Sequence, residues 1–526
     1  MPLGRGAARR TACAWLICLV LLSACSARQP PPSALSRSSP APLPTTTALP
    51  KDGRPLVPLP DVRPAGFTDP PPGQGLSRYQ QQALTWTACR EQLQCAKVLA
   101  PLDYEHPDDT AISLALAKRP ATGARRLGSL FINPGGPGGS GVEYAEIFSS
   151  AGLEDYDIVG WDPRGVGEST PVKCYTGADL DRYYSIDTTP DDGAELQQLI
   201  EDRKAFGRSC LDRSGPLLQH ISTTETVHDL DLLRGLLGDD KINYFGSSYG
   251  TRIGSLYSEL FTARVGRIVL DGAVSLEPDP DVTQLQGFER ALDHFAEWCA
   301  AGSCRLGSNP DEVLSMITSF LDQLDHRPAT VEGGRALSQQ QGVNAVFFAL
   351  YSGKPGWPVL LDAFTSAMLD GNAQGLLRLS DASNRRKRDG SYDQLSYAFP
   401  AIRCRDSSDD SVSEAQKELL EATRKAPVLG RLSGADLQCP LWSVGSAPRP
   451  PRITADGAPP IVVIGTTGDP ATPYEYAPAM ADQLTSGLLV TLNGEGHLAY
   501  GRSECVRRLV HAYLVDDQAP PDRSTC

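Results

Sequence analysis

Among the residues that can carry covalent chemistry, one serine stands in a setting built for it. Ser248 is the centre of Gly246-Ser247-Ser248-Tyr249-Gly250, with a glycine two residues away on each side. A serine hydroxyl is a weak nucleophile until a base removes its proton, and imidazole suits that task near neutrality. Of seven histidines, His497 follows a strand-like run inside a glycine-flanked loop, Asn493-Gly494-Glu495-Gly496-His497. His294, His326 and His511 fall in helical patterns, and His106, His220 and His228 precede the serine, so these six read as surface or packing residues. A carboxylate must then orient the imidazole and stabilise its charged form. Asp469, just past another apolar run, is the expected acid, with Asp271 as the alternative. Together the three residues would perform acyl transfer: attack on a carbonyl, a covalent acyl intermediate, and release by water.

Each of these side chains needs a rigid element behind it. Residues 241–245 are β-prone, and Ile253, Leu256, Tyr257 and Leu260 recur at helical spacing after Gly250. A strand that turns directly into a helix across G-x-S-x-G is a nucleophile elbow, and its helix aims backbone N–H groups, that of Tyr249 first, at a developing oxyanion. Strand patterns also occur at 111–117, 127–132, 156–161, 267–272, 460–465 and 488–492. The capping box Ser222-Thr223-Thr224-Glu225 opens a helix with Val227, Leu230, Leu233 and Leu237 on one face. Alternating strands and helices predict an α/β fold with a mostly parallel central sheet. Ser…Asp…His in that chain order, each on a loop past a strand, is the α/β-hydrolase arrangement. Between 276 and 443 the alternation gives way to helical patterns at 288–298, 310–324, 343–351, 359–369 and 413–426. This stretch reads as a helical cap inserted over the strand ends, between core segments 76–275 and 444–526.

The glycine stretch after the strand at 127–132 admits three readings. Gly136, Gly138 and Gly141 match the dinucleotide fingerprint G-x-G-x-x-G, but Pro137 interrupts it and an exported chain meets little NAD. The stretch lacks the Gly-Lys-Ser/Thr ending of a phosphate-binding loop. The favoured reading is a loop whose bare N–H groups face the elbow, with Gly136 as oxyanion donor and Gly135 as alternate. Asp162 and Arg164, past the next strand, are expected to pair and brace the loop beneath the site. No cofactor or metal is expected, and no C-x-x-C pair exists.

The formal net charge of -14 over 526 residues argues against a nucleic-acid partner, whose phosphates would be repelled. Arg5, Arg9 and Arg10 precede a short apolar run, residues 12–22, as in a signal peptide over 1–24. Leu22-Ser23-Ala24-Cys25 matches a bacterial lipobox, so Cys25 is expected to be lipidated and to hold the protein at the outer face of the cell membrane. The Pro/Ser/Thr-rich residues 26–75 read as a disordered tether. Cys13 and Cys18 leave with the leader, and ten of the 13 cysteines remain once Cys25 is set aside. Ten cysteines in an oxidising compartment suggest neighbour disulfides: Cys89–Cys95, Cys174–Cys210, Cys299–Cys304, Cys404–Cys439 and Cys505–Cys526.

The motifs Asn133-Pro134-Gly135-Gly136-Pro137-Gly138, Trp161-Asp162-Pro163-Arg164-Gly165, Gly246 to Gly250, Gly468-Asp469-Pro470-Ala471-Thr472-Pro473 and Gly496-His497 form a set. It resembles that of the secreted tripeptidyl-aminopeptidase-like hydrolases of actinobacteria, relatives of the prolyl aminopeptidases. The likeness runs from Trp86 to Cys526 and includes the Cys439…Trp442 region, which resembles the family's C-terminal module. Asn133 stands where prolyl aminopeptidases carry His, so a strict proline preference does not carry over. The resemblance implies exopeptidase action, releasing short peptides from free N-termini, with an acidic cap residue binding the substrate ammonium. An esterase or lipase with the same triad is the alternative activity, and a surface lipoprotein that keeps the fold for binding is the alternative outside enzymology.

Overall fold

The structure, a computed structural model, describes residues 66–526 apart from 278, 279, 303 and 409. The expected leader 1–24, Cys25 and the tether as far as residue 65 lie outside the described residues. The described chain contributes to the sheet before the expected boundary at residue 76. Phe67 and Thr68 already pair with Ile112 and Ala111.

The spine is an 11-stranded sheet. Eight of its strands carry the site: β1 (Gln94–Pro101), β2 (Ala111–Arg119), β3 (Ser129–Asn133), β4 (Asp157–Trp161), β5 (Ile242–Ser247), β6 (Val265–Asp271), β7 (Ile461–Gly468) and β8 (Gly487–Glu495). Their spatial order is β1-β2-β4-β3-β5-β6-β7-β8. The pairs β1–β2 and β2–β4 are antiparallel, and every pair from β4–β3 to β7–β8 is parallel. Strands β3 and β4 bury every residue, as a parallel strand covered on both faces must. Successive residues point to opposite faces. Phe131, Tyr244, Ile268 and Val463 therefore enter one core, and Ile132, Phe245, Val269 and Ile464 the other.

Helices α1 (Gly141–Ile147), α2 (Gly193–Ser214), α3 (Thr223–Leu236) and α4 (Gly250–Leu260) belong to the first half of the sheet. Helix α3 starts at a capping box in which Ser222 accepts from the Glu225 N–H, a device worth ~1 kcal/mol. Then come α5 (Gln284–Ala301), α6 (Pro310–His326), α7 (Gln339–Tyr351), α8 (Trp357–Leu369), α9 (Gln374–Ser383), α10 (Leu395–Asp406) and α11 (Val412–Lys425), and α12 (Glu504–Asp516) follows β8. The helices from α5 to α9 build a core of their own around Phe295, Ile317, Leu321, Val346 and Phe364. Helix α10 does not join it. Its buried residues Ala398, Ala401 and Ile402 lie in the same core as the sheet residues Phe131 and Tyr244.

Five disulfides tie the described chain: Cys89–Cys95, Cys174–Cys210, Cys299–Cys304, Cys404–Cys439 and Cys505–Cys526.

The loop after β4 differs from expectation. Asp162 and Arg164 do not pair. The Arg164 guanidinium, fully buried, donates through Nε and Nη2 to both oxygens of Asp229 on α3, each at 2.7 Å. Its remaining N–H groups go to the carbonyls of Leu102, His220 and Pro101, so all five donors are used. Asp162 instead accepts from Ser140 Oγ (2.6 Å), the Val142 N–H (3.1 Å) and the Glu168 N–H (2.7 Å). The physical reason is satisfaction: a buried guanidinium needs a carboxylate that can take both ends of its fork, and Asp162 is already occupied at the start of α1.

Candidate active site

The register brings five strand ends to one edge. Asn133 at the end of β3 lies beside Gly246, Ser247 at the end of β5 lies beside Asp271, and Gly468 of β7 lies beside Glu495 of β8. The loops that leave this edge carry Gly135, Ser248, Asp469 and His497.

Strand β5 turns into α4 through Ser248, which holds φ +55° although it is not glycine. Such backbone is costly for an L-residue and persists only where the surroundings over-determine it. Here the Ser248 N–H donates to the Asp271 carbonyl at 2.8 Å. Gly246 is required for close approach, since a Cβ there would fall 2.4 Å from the Gly250 carbonyl oxygen.

His497 is buried, and its Nδ1 meets both oxygens of Asp469, at 2.9 and 2.8 Å. The Asp469 carboxylate is itself fixed. It accepts from the backbone N–H groups of Ala471 and Thr472 (both 2.9 Å), from Thr472 Oγ1 (3.0 Å) and from the Leu498 N–H (3.3 Å). With Nδ1 committed to a carboxylate, the imidazole presents Nε2 as its proton-accepting atom. That atom is buried and has no hydrogen-bond partner among the described residues. The turn after β6 lies against both segments: the Asp271 carbonyl accepts the Ser248 N–H, and a Cβ on the next residue, Gly272, would lie 3.1 Å from His497 Cε1.

Tyr351, the last residue of α7, touches both. Its ring lies 4.6 Å from the imidazole, its carbonyl accepts the His497 N–H at 3.0 Å, and its hydroxyl is turned to the Ser248 side chain. Burial raises the Tyr351 phenol pKa, so it stays protonated.

Asp271, the alternative acid, lies elsewhere in this cluster. It is buried and accepts from the N–H groups of Ala499 and Tyr500, the residues just past His497. Burial pushes its carboxyl up to about 6, against those bonds and the nearby His497.

The glycine loop packs against the elbow. A Cβ on Gly135 would sit 2.8 Å from the Tyr249 nitrogen, so the two backbones could not approach with any side chain there. The Gly135 N–H is taken by Asn133 Oδ1 at 2.9 Å. The N–H groups of Gly136 and Tyr249 have no acceptor among the described residues.

Thr472, Tyr351 and Asp271 in its anchoring role were not singled out by sequence reasoning. Thr472 could have been found from its place three residues after Asp469, where a turn returns its hydroxyl to the carboxylate. Tyr351 lies in a cap helix and carries no sequence signal.

This strand order, elbow and buried Asp–His pair define the class as a serine hydrolase of α/β-hydrolase architecture. Residues 128–309 match the family described as "alpha/beta hydrolase fold", and residues 426–526 match "TAP-like protein". The chain is 36% identical over 479 residues to Serine protease Hip1 of Mycobacterium tuberculosis, covering 85% of this chain and 91% of that protein. It is 34% identical over 517 residues to Carboxylesterase B of the same species, covering 92% and 98%. Tripeptidyl aminopeptidase of Streptomyces lividans is 28% identical over 480 residues, covering 86% and 88%. The chain belongs to the α/β-hydrolase family, in the branch with the TAP-like C-terminal segment.

Proposed function

We propose that the protein is an exported serine hydrolase that releases short peptides from free N-termini through an acyl-enzyme. The observation that carries this reading is the buried His497–Asp469 pair with an unpartnered Nε2, joined through Tyr351 to a serine held at an elbow. His497 Nε2 takes the Ser248 proton as Oγ attacks the scissile carbonyl, and the N–H groups of Tyr249 and Gly136 hold the oxyanion. His497 then protonates the leaving amine, and a water activated by the same nitrogen releases the acyl portion and restores Ser248. Asp469 keeps the tautomer and balances the imidazolium charge.

The names of two relatives, a serine protease and a tripeptidyl aminopeptidase, support the peptidase reading. Similarity to a protein named Carboxylesterase B favours a second reading, an esterase using the same residues. The leader over 1–24 and lipidation at Cys25 would place the enzyme at the outer face of the cell membrane. Among the described residues no helix is long and apolar enough to cross a membrane.

A fluorophosphonate probe should label the wild type and Ser247→Ala but not Ser248→Ala, and an unlabelled wild type would end the hydrolase reading. Tripeptide p-nitroanilides against short p-nitrophenyl esters then separate the two activities. Hydrolysis of esters alone would overturn the peptidase claim.

A further inference from the structure

The sequence places α10 in the cap, yet its buried face belongs to the body of the enzyme, and both sides of the oxyanion site rest on it. On one side lies the glycine loop. A Cβ on Gly138 would fall 2.7 Å from Ala398 Cβ and 3.0 Å from the Phe399 nitrogen, and one on Gly136 would lie 3.3 Å from Leu395 Cδ1. The first half of α10 is thus in contact with the loop that carries the Gly136 N–H.

On the other side lies Tyr249, whose N–H is the elbow donor. Its hydroxyl is buried and donates to Asp406, the last residue of α10. Asp406 is held in turn by the first residue of α3. It accepts the Thr223 N–H at 3.0 Å and the Thr223 hydroxyl, a carboxylate at a helix N-terminus. Burial keeps the Tyr249 phenol protonated, so it remains a donor. The Cys404–Cys439 disulfide fixes the same end of the helix.

We propose that α10 sets the oxyanion site, with Asp406 acting as a positioning residue through the Tyr249 side chain while Ala398 and Phe399 back the glycine loop. This rests on the hydrolase reading given above and adds the element that holds its two N–H donors in register. A fixed pair of donors matters because oxyanion stabilisation depends on dipoles that need not reorganise as charge develops. A donor that drifts from its place loses much of its effect while ground-state binding is little changed.

The test uses the full chain with Tyr249→Phe, Asp406→Asn and the double variant. The probes are a tripeptide p-nitroanilide or p-nitrophenyl butyrate, whichever the wild type hydrolyses. Each single variant should lose roughly tenfold in kcat with KM within about twofold. Inhibition by a tripeptide boronic acid, which forms a tetrahedral adduct on serine, should weaken in parallel, while inhibition by the free tripeptide stays put. The Tyr249 hydroxyl also meets the Thr223 hydroxyl that Asp406 holds, so both substitutions loosen one three-residue network and the double variant should lose less than the product of the singles. If Asp406→Asn does not fold, Tyr249→Phe alone decides, since it removes one hydroxyl and leaves the backbone donor. Full kcat in Tyr249→Phe, or losses that multiply in the double variant, would overturn the proposal while fluorophosphonate labelling of the wild type kept the hydrolase reading intact.

Discussion

Replacing Asp271 by Asn should flatten the pH dependence of stability on the acid side of neutrality. Asp271 is 1% exposed, and its oxygens accept backbone N–H groups from Ala499 and Tyr500 without a cation in the pairing. Burial lifts its carboxyl from 3.8 to about 6. Between those values the unfolded chain has released this proton and the native protein still holds it. The native state therefore binds more protons, and stability falls as pH rises through the window. The contribution is fully present below about pH 4 and is lost by about pH 6. At about 1.4 kcal/mol per pH unit, the gap is worth ~3 kcal/mol. Urea midpoints at pH 4, 5 and 7, with disulfides intact, would read it out in wild type and Asp271→Asn. The two proteins share every other carboxylate, so the difference between their pH profiles isolates this one. Asn keeps one acceptor oxygen for the loop, and that lost bond shifts the variant's curve by a constant without changing its slope. Parallel profiles would refute the reasoning.

Other outcomes follow from the same contacts. Asp469→Asn keeps the shape of the site but lets Nδ1 lose its proton, and kcat on the anilide or ester probe should fall by roughly 10⁴. Asp229→Ala leaves the Arg164 guanidinium buried without its carboxylate, and unfolding measurements should show a loss of about 3–5 kcal/mol. Tyr351→Phe keeps the ring over His497 but removes the hydroxyl facing Ser248. Steady-state kinetics should show about a tenfold fall in kcat with little change in thermal midpoint.

Much of this arrangement is legible in the sequence, for physical reasons. The elbow announces itself because Gly246 meets the Gly250 carbonyl, a contact no other residue tolerates. Strands β3 and β4 are visible because both faces are buried, with apolar runs at 130–132 and 158–159, and their polar ends Asp157 and Asn133 are hydrogen-bonded to Arg126 and to the Gly135 N–H. Long-range pairing is less visible. Arg164 chose Asp229, 65 residues away, over the nearby Asp162, and no local pattern encodes that choice. Strand β1 escapes notice because Cys95 and Leu99 lie on its less buried face and blur the alternation that its burial follows from Ala96 to Ala100, and α2 because its surface is largely polar. Helix α10 is masked by Pro400 in its interior, and its assignment to the body depends on which core Ala398 and Ile402 enter.

That division of the helical insertion has a bearing on protein engineering. A chimaera that borrows a relative's cap to change selectivity would, if cut at the sequence boundaries 276 and 443, carry away the backing of the Gly136 loop along with the roof. Junctions placed before Gln284 and after Ser383 would exchange α5 to α9 and leave Leu395–Asp406 with the host. Because α7 brings Tyr351 against His497 and Ser248, recombinants of the second kind should keep their turnover where the borrowed cap supplies a tyrosine there, while their preference changes.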